Sequence, residues 1–156
     1  MADLRGLERV LDRERTRGRR IVLTNGCFDI LHIGHLRYLE EARSRGDLLV
    51  VGVNSDESVR RLKGDGRPIV PEHERAALLD GLAVVDLVTI FSELTPRRLI
   101  RTVRPDVYVK GGDYAWSALP ERDLVESLGG TVEVLTHVPQ RSTTALIERF
   151  RTSTPD

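Results

Sequence analysis

Five short apolar runs recur along this chain, and a stretch of helical character separates each from the next. The runs cover residues 20–24, 48–53, 86–91, 106–110 and 131–135. They are rich in Val, Ile and Leu with little polar alternation, which marks strands buried on both faces. Leu4, Leu7 and Leu11 recur at helical spacing within a helix predicted from Asp3 to Arg17. Further helices are predicted over 34–45, from an Asn54-Ser55-Asp56 cap to Leu62, over 72–82 behind Pro71, and over 95–103 before Pro105. Two more cover 121–128 and the stretch from Ser142-Thr143-Thr144 to Arg151. Strands alternating with helices dictate a parallel sheet with right-handed crossovers, covered on both faces. The expected fold class is therefore α/β, a three-layer sandwich around a five-stranded parallel sheet.

A chain of 156 residues suits one domain, 1–156, with an N-terminal helix at 1–19, a core at 20–151 and a tail at 152–156. Acidic and basic residues balance at 24 each, so no basic field points to nucleic acid and no acidic arm to a binding tail. Cys27 is the only cysteine, which excludes an internal disulfide and a cysteine-based zinc site within one chain. No apolar stretch approaches the ~18–20 residues that span a bilayer, and Met1–Arg20 is too charged for a signal peptide, so a cytoplasmic location is expected, with no membrane partner. The basic residues are all Arg except Lys63 and Lys110, and both lysines lie in glycine-flanked loops. A chain that accepts Arg for any generic cation keeps Lys where a compact ammonium is needed, or by chance.

In parallel sheets, ligands bind beyond the carboxyl ends of the strands. Here the loops after the first, second, fourth and fifth runs carry the chemically loaded residues. The first, Asn25-Gly26-Cys27-Phe28-Asp29-Ile30-Leu31-His32-Ile33-Gly34-His35, ends where a helix begins. A helix N-terminus offers unpaired N–H groups and the positive end of the macrodipole to a phosphate. A lone histidine there reads as a cap; two histidines beside Gly34 read as a site that stabilises growing phosphate charge. Arg67 and Arg75 flank a proline-rich loop, and Arg141-Ser142-Thr143-Thr144 opens another helix. Asp29 and Asp113 suit either a turn cap or a metal or ligand hydroxyl. A P-loop motif, a dinucleotide fingerprint and a nucleophile elbow are all absent, and Cys27 reads as a small residue that lets backbone approach a ligand.

The run Gly26–His35 resembles the G-x-F-D-x-x-H-x-G-H signature of the cytidylyltransferase-like nucleotidyltransferases, whose Rossmann-like fold carries a His-x-Gly-His turn. Asn54-Ser55-Asp56, Arg61-Leu62-Lys63-Gly64, Arg67-Pro68, Val109-Lys110-Gly111-Gly112-Asp113-Tyr114 and Ser142-Thr143-Thr144 add a likeness to bacterial D-glycero-β-D-manno-heptose 1-phosphate adenylyltransferases. That resemblance covers residues 20–150. It implies ATP and Mg²⁺, a sugar 1-phosphate acceptor, a separate heptose kinase and a stand-alone adenylyltransferase that forms a homodimer. The N-terminal helix and the stretch 78–88 offer apolar faces for that dimer. The catalytic set implied is His32, His35, Lys63 and Lys110. The nucleotide-binding set is Asn25, Gly26, Cys27, Phe28, Asp29, Gly34, Arg75, Gly112, Asp113, Ser142, Thr143 and Thr144, with no protein metal ligand assigned. Cytidylyl transfer to glycerol 3-phosphate or ethanolamine phosphate is the competing reaction, and a non-catalytic nucleotide-binding module the competing class.

Overall fold

The computed structural model describes residues 3–112, 119–135 and 143–152. Its strands are β1 (Ile21–Gly26), β2 (Leu48–Asn54), β3 (Leu87–Phe91), β4 (Val107–Gly111) and β5 (Thr131–Leu135). The helices are α1 (Leu4–Thr16), α2 (Ile33–Arg43), α3 (Asp56–Lys63), α4 (Glu72–Asp80), α5 (Arg97–Val103), α6 (Arg122–Ser127) and α7 (Thr143–Thr152). All strand pairs are parallel, in the order β3-β2-β1-β4-β5. The three-layer α/β expectation therefore holds.

Side chains of a strand alternate between the two faces of its sheet, and that alternation sorts the core into two layers. Ile21 and Leu23 of β1 and Leu48 and Val50 of β2 join Leu7 and Leu11 of α1, Leu99, Ile100 and Val103 of α5 and Val125 of α6. Val22, Leu49, Val51 and Val53 face the other way, onto Leu39 and Ala42 of α2 and Ala76 and Leu79 of α4. Every residue of β2 is buried, as its unbroken apolar run requires.

Two expectations change. β1 runs on through Asn25 and Gly26, a pair that reads locally as a turn, because its ladder with β2 continues to the Gly26–Val53 pairing. The apolar face of α1 is not available to a second copy: Leu7 and Leu11 are fully buried in this chain's own core. Within 78–88, Leu79, Val85 and Val88 are likewise buried, and Leu78 is the one large apolar side chain left exposed.

The amino ends of the strands are sealed. Asp106 accepts a hydrogen bond from the Ile21 N–H, Asp86 from Leu49 and Asp47 from Arg20, each at 2.7 Å. The carboxyl ends lead instead into glycine-rich loops, and the strand order reverses between β1 and β4, where an open α/β sheet forms its ligand crevice.

Candidate active site

Beyond Gly26 the backbone turns sharply. Phe28 adopts φ +48°, the left-handed region that side chains other than glycine rarely occupy. Its ring is nearly buried and lies 5.5 Å from the His35 ring, centroid to centroid. A Cβ at Gly26 would stand 3.1 Å from the Phe28 ring, so glycine there gives that ring its seat. The turn delivers the chain to α2 with His32 as N-cap.

The two histidines cap the helix reciprocally. His32 Nδ1 accepts from the Gly34 N–H at 3.1 Å, and His35 Nδ1 accepts from the His32 N–H at 3.3 Å. Their rings lie 3.9 Å apart, tilted by 32°. This is a capping box made from imidazoles in place of the usual hydroxyl and carboxylate. It has a chemical consequence. A neutral imidazole carries one proton, so an accepting Nδ1 assigns that proton to Nε2 on each ring. The cap and the site are thus the same device: structural use of Nδ1 sets both Nε2 atoms as donors.

Both histidines line a cleft of about 330 Å³ together with Asn25, Gly26, Cys27, Phe28, Asp29, Gly34, Lys63, Lys110 and Thr143. These residues come from the end of β1 and the loop after it, the start of α2, the end of α3, the end of β4 and the start of α7. Lys63 is the last residue of α3, whose N-cap Ser55 accepts from the Ser58 N–H at 3.2 Å. Thr143 opens α7 and donates to the Ile30 carbonyl at 3.5 Å, which ties that helix start to the loop after β1. Gly112 and Thr144 do not line the cleft, and Asp113 and Ser142 lie outside the described residues.

Burial tunes the ionisable groups. Lys110 is half-buried, and desolvation lowers its pKa against the opposing pull of Glu121 and Cys27. The Cys27 thiol is pushed up by burial, despite the lysine and arginines near it, so it stays protonated and unreactive. Burial drives the Asp29 carboxyl upward, but hydrogen bonds from the Val70 and Ile69 N–H groups and from Arg67 outweigh it and leave the pKa lowered. Asp29 accepts from Arg67 Nε at 2.7 Å and from the N–H groups of Ile69 and Val70 at 2.8 and 2.9 Å. Its oxygens pin the proline-rich loop, which is the turn role of the two open for it in the sequence.

Arg75 is a correction. It is fully buried and does not line the cleft. Nε donates to the Val70 carbonyl at 2.8 Å, Nη1 to the Cys27 and Asn54 carbonyls at 2.6 and 2.8 Å, and Nη2 to Asp56 at 2.7 Å. It joins the loops after β1 and β2 to the loop before α4, and no ligand can reach it. The clue was present in the periodicity, since positions 75, 76 and 79 share the sheet-facing side of α4.

Tyr38 is the residue that sequence reasoning missed. It lies one turn beyond His35, on the cleft side of α2. Its hydroxyl shares a 2.6 Å hydrogen bond with Thr24 and donates to the Val109 carbonyl at 3.2 Å. A Cβ on Gly111 would come within 2.9 Å of its ring. Burial raises its pKa to about 12, so the phenol stays neutral and forms a wall of the cleft.

Comparison with known proteins decides the family. The cytidylyltransferase-like model matches residues 23–153. The chain belongs to the cytidylyltransferase-like family. As a member it is a nucleotidyltransferase. It is 55% identical over 150 residues to the Bifunctional protein HldE of Geotalea uraniireducens, a match covering 96% of this chain and 31% of that protein. The Bifunctional protein HldE of Alkalilimnicola ehrlichii is 59% identical over 142 residues, 91% of this chain and 30% of that one. This nucleotidyltransferase therefore spans about a third of the length of these curated relatives. A crystal structure of the lipopolysaccharide core biosynthesis protein from Thermoplasma volcanium matches with a TM-score of 0.65 at 35% identity, over 78% of this chain and 98% of that chain. No helix among the described residues is long and apolar enough to cross a membrane.

Proposed function

We propose that this nucleotidyltransferase transfers AMP from ATP to D-glycero-D-manno-heptose 1-phosphate, forming ADP-heptose and pyrophosphate. The observation that carries the reading is the pair of imidazoles capping the α2 N-terminus, in one cleft with Lys63 and Lys110. The HldE relatives and the Thermoplasma protein of lipopolysaccharide core biosynthesis support a sugar-phosphate acceptor. So does the Lys110-Gly111-Gly112-Asp113-Tyr114 motif.

An oxygen of the sugar phosphate attacks the α-phosphorus of ATP in line, and the bond from that phosphorus to the α,β-bridging oxygen breaks as pyrophosphate leaves. The attacking phosphate is already ionised near neutral pH, so no general base is required. Positioning and charge stabilisation must supply most of the acceleration. His32 and His35 donate through Nε2 to the reacting phosphoryl oxygens, helped by the α2 dipole. Lys63 and Lys110 neutralise the phosphates from the β2 and β4 sides of the cleft. The backbone at Cys27 and Phe28 and the start of α7 hold the nucleotide.

Among the described residues, no three His, Cys, Asp or Glu side chains converge to cage a metal, and the Asp29 oxygens are engaged. Magnesium needs no such cage, because it keeps several waters and binds largely through substrate phosphates. When bound it would supply charge neutralisation on the triphosphate. The acceptor's phosphate would come from a sugar kinase.

The test is a pyrophosphate-release panel of nucleoside triphosphates against heptose 1-phosphate, glycerol 3-phosphate and ethanolamine phosphate. Release with ATP and heptose 1-phosphate is expected. Release with CTP and none with ATP would overturn the adenylyl assignment.

A further inference from the structure

Arg67 lines the same cleft as the histidines, yet its guanidinium is only partly engaged. Nε donates to Asp29 at 2.7 Å, and the Asp29 side chain is almost wholly buried. Nη2 is buried and has no hydrogen-bond partner among the described residues. Removing a charged donor from water without a partner is costly, and folds keep such a group where something else satisfies it. Arg75 makes the contrast, because all three of its guanidinium nitrogens are engaged. Asp29 sets the plane of the Arg67 fork through Nε, and it is itself anchored by the N–H groups of Ile69 and Val70. The side chain keeps 17% of its surface exposed, and Lys63 lines the cleft with it.

We infer that Arg67 is a substrate-binding residue whose guanidinium, held at the cleft wall by Asp29, takes phosphate oxygens of the bound substrate. A guanidinium fork suits a phosphate, and here its orientation is set before the ligand arrives, so little entropy is lost on binding. The phosphate is either the pyrophosphate portion of the nucleotide or the phosphate of the acceptor. Only the name of that carrier rests on the proposed function; the anion chemistry does not.

The experiment measures calorimetric binding of inorganic pyrophosphate, ATP, adenosine and heptose 1-phosphate to the wild type, Arg67→Lys and Arg67→Gln, alongside turnover. The lysine keeps a cation beside Asp29, so loop anchoring survives even if the glutamine variant folds poorly. Both variants should bind their phosphate ligand about 10- to 100-fold more weakly while adenosine binding is unchanged. Loss confined to pyrophosphate and ATP assigns the nucleotide side; loss confined to heptose 1-phosphate assigns the acceptor side. Equal weakening of adenosine and the phosphates would mark a purely structural role and overturn the inference. So would unchanged phosphate binding in an Arg67→Lys variant that unfolds at the wild-type urea midpoint. A wild type that binds pyrophosphate through Arg67 but releases none from ATP and heptose 1-phosphate would sink the proposed reaction and leave the inference standing.

Discussion

Replacing His35 with alanine separates capping from chemistry, because the observed cap and the proposed phosphoryl donor share one ring. The substitution removes the Nδ1 acceptor of the His32 N–H, the ring contact at 3.9 Å and the Nε2 donor in the cleft. Loss of the cap costs about 1 kcal/mol of stability. Set against a typical total of roughly 5–15 kcal/mol, that leaves the protein folded, with its melting midpoint lowered by about 2–4 °C. Loss of a donor aimed at transition-state charge costs on the order of 10²–10³ in turnover, or about 2.7–4 kcal/mol. The two effects differ enough to be read apart by calorimetric melting and by kcat for pyrophosphate release at saturating ATP. His35→Asn sharpens the test, since its amide oxygen can still accept from backbone but presents no Nε2 donor. We expect the asparagine variant to recover part of the melting midpoint and none of the rate. If His35→Ala lost less than about fivefold in kcat while melting about 2–4 °C lower, the histidine would be a cap alone and the electrostatic reasoning would fail.

Three further outcomes follow from the same geometry. Burial lowers the Lys110 pKa, and phosphate binding needs the ammonium, so kcat/KM should fall with rising pH before an ordinary lysine would titrate. Lys110→Arg should carry that alkaline limb upward, and an unmoved limb in the pH–rate profile would assign it elsewhere. Asp29→Asn removes the charge that pairs with Arg67 in a buried setting and should cost about 3–5 kcal/mol in urea unfolding at neutral pH. The folded Asp29 pKa is lowered, so the stability it contributes is present above the unfolded value of about 3.9 and is lost as pH falls through the lower folded value, a dependence the asparagine variant should lack. Arg75→Met strips donors from the Val70, Cys27 and Asn54 carbonyls and from Asp56, and should destabilise the fold by more than about 3 kcal/mol; near-native unfolding with a selective loss of ATP affinity would restore Arg75 to the ligand site.

What the sequence determined by itself is whatever short-range pattern controls. Central strands announce themselves because a strand covered on both faces is apolar almost throughout, and β2 meets that condition from Leu48 to Val53 with no exposed residue. The segment from Asn25 to His35 was legible for a similar reason: a strand end, a glycine turn and two histidines at a helix start are local, and so is the anion affinity expected of such a helix start. Tertiary structure decided the rest. Asn25 and Gly26 became strand because β2 offered a ladder, and α1 became core because α5 lay beneath its leucines. Arg67 and Arg75 look alike as charges flanking one loop, yet their partners invert their roles. Arg75 meets Cys27, 48 residues back along the chain, together with Asn54 and Asp56, and full burial puts it out of a ligand's reach. Arg67 meets Asp29 through a single nitrogen and keeps the remainder of its fork unengaged among the described residues. A charge is a property of a residue, but the hydrogen bonds that consume it depend on which distant backbone groups the fold brings within 3 Å, and no local pattern encodes that.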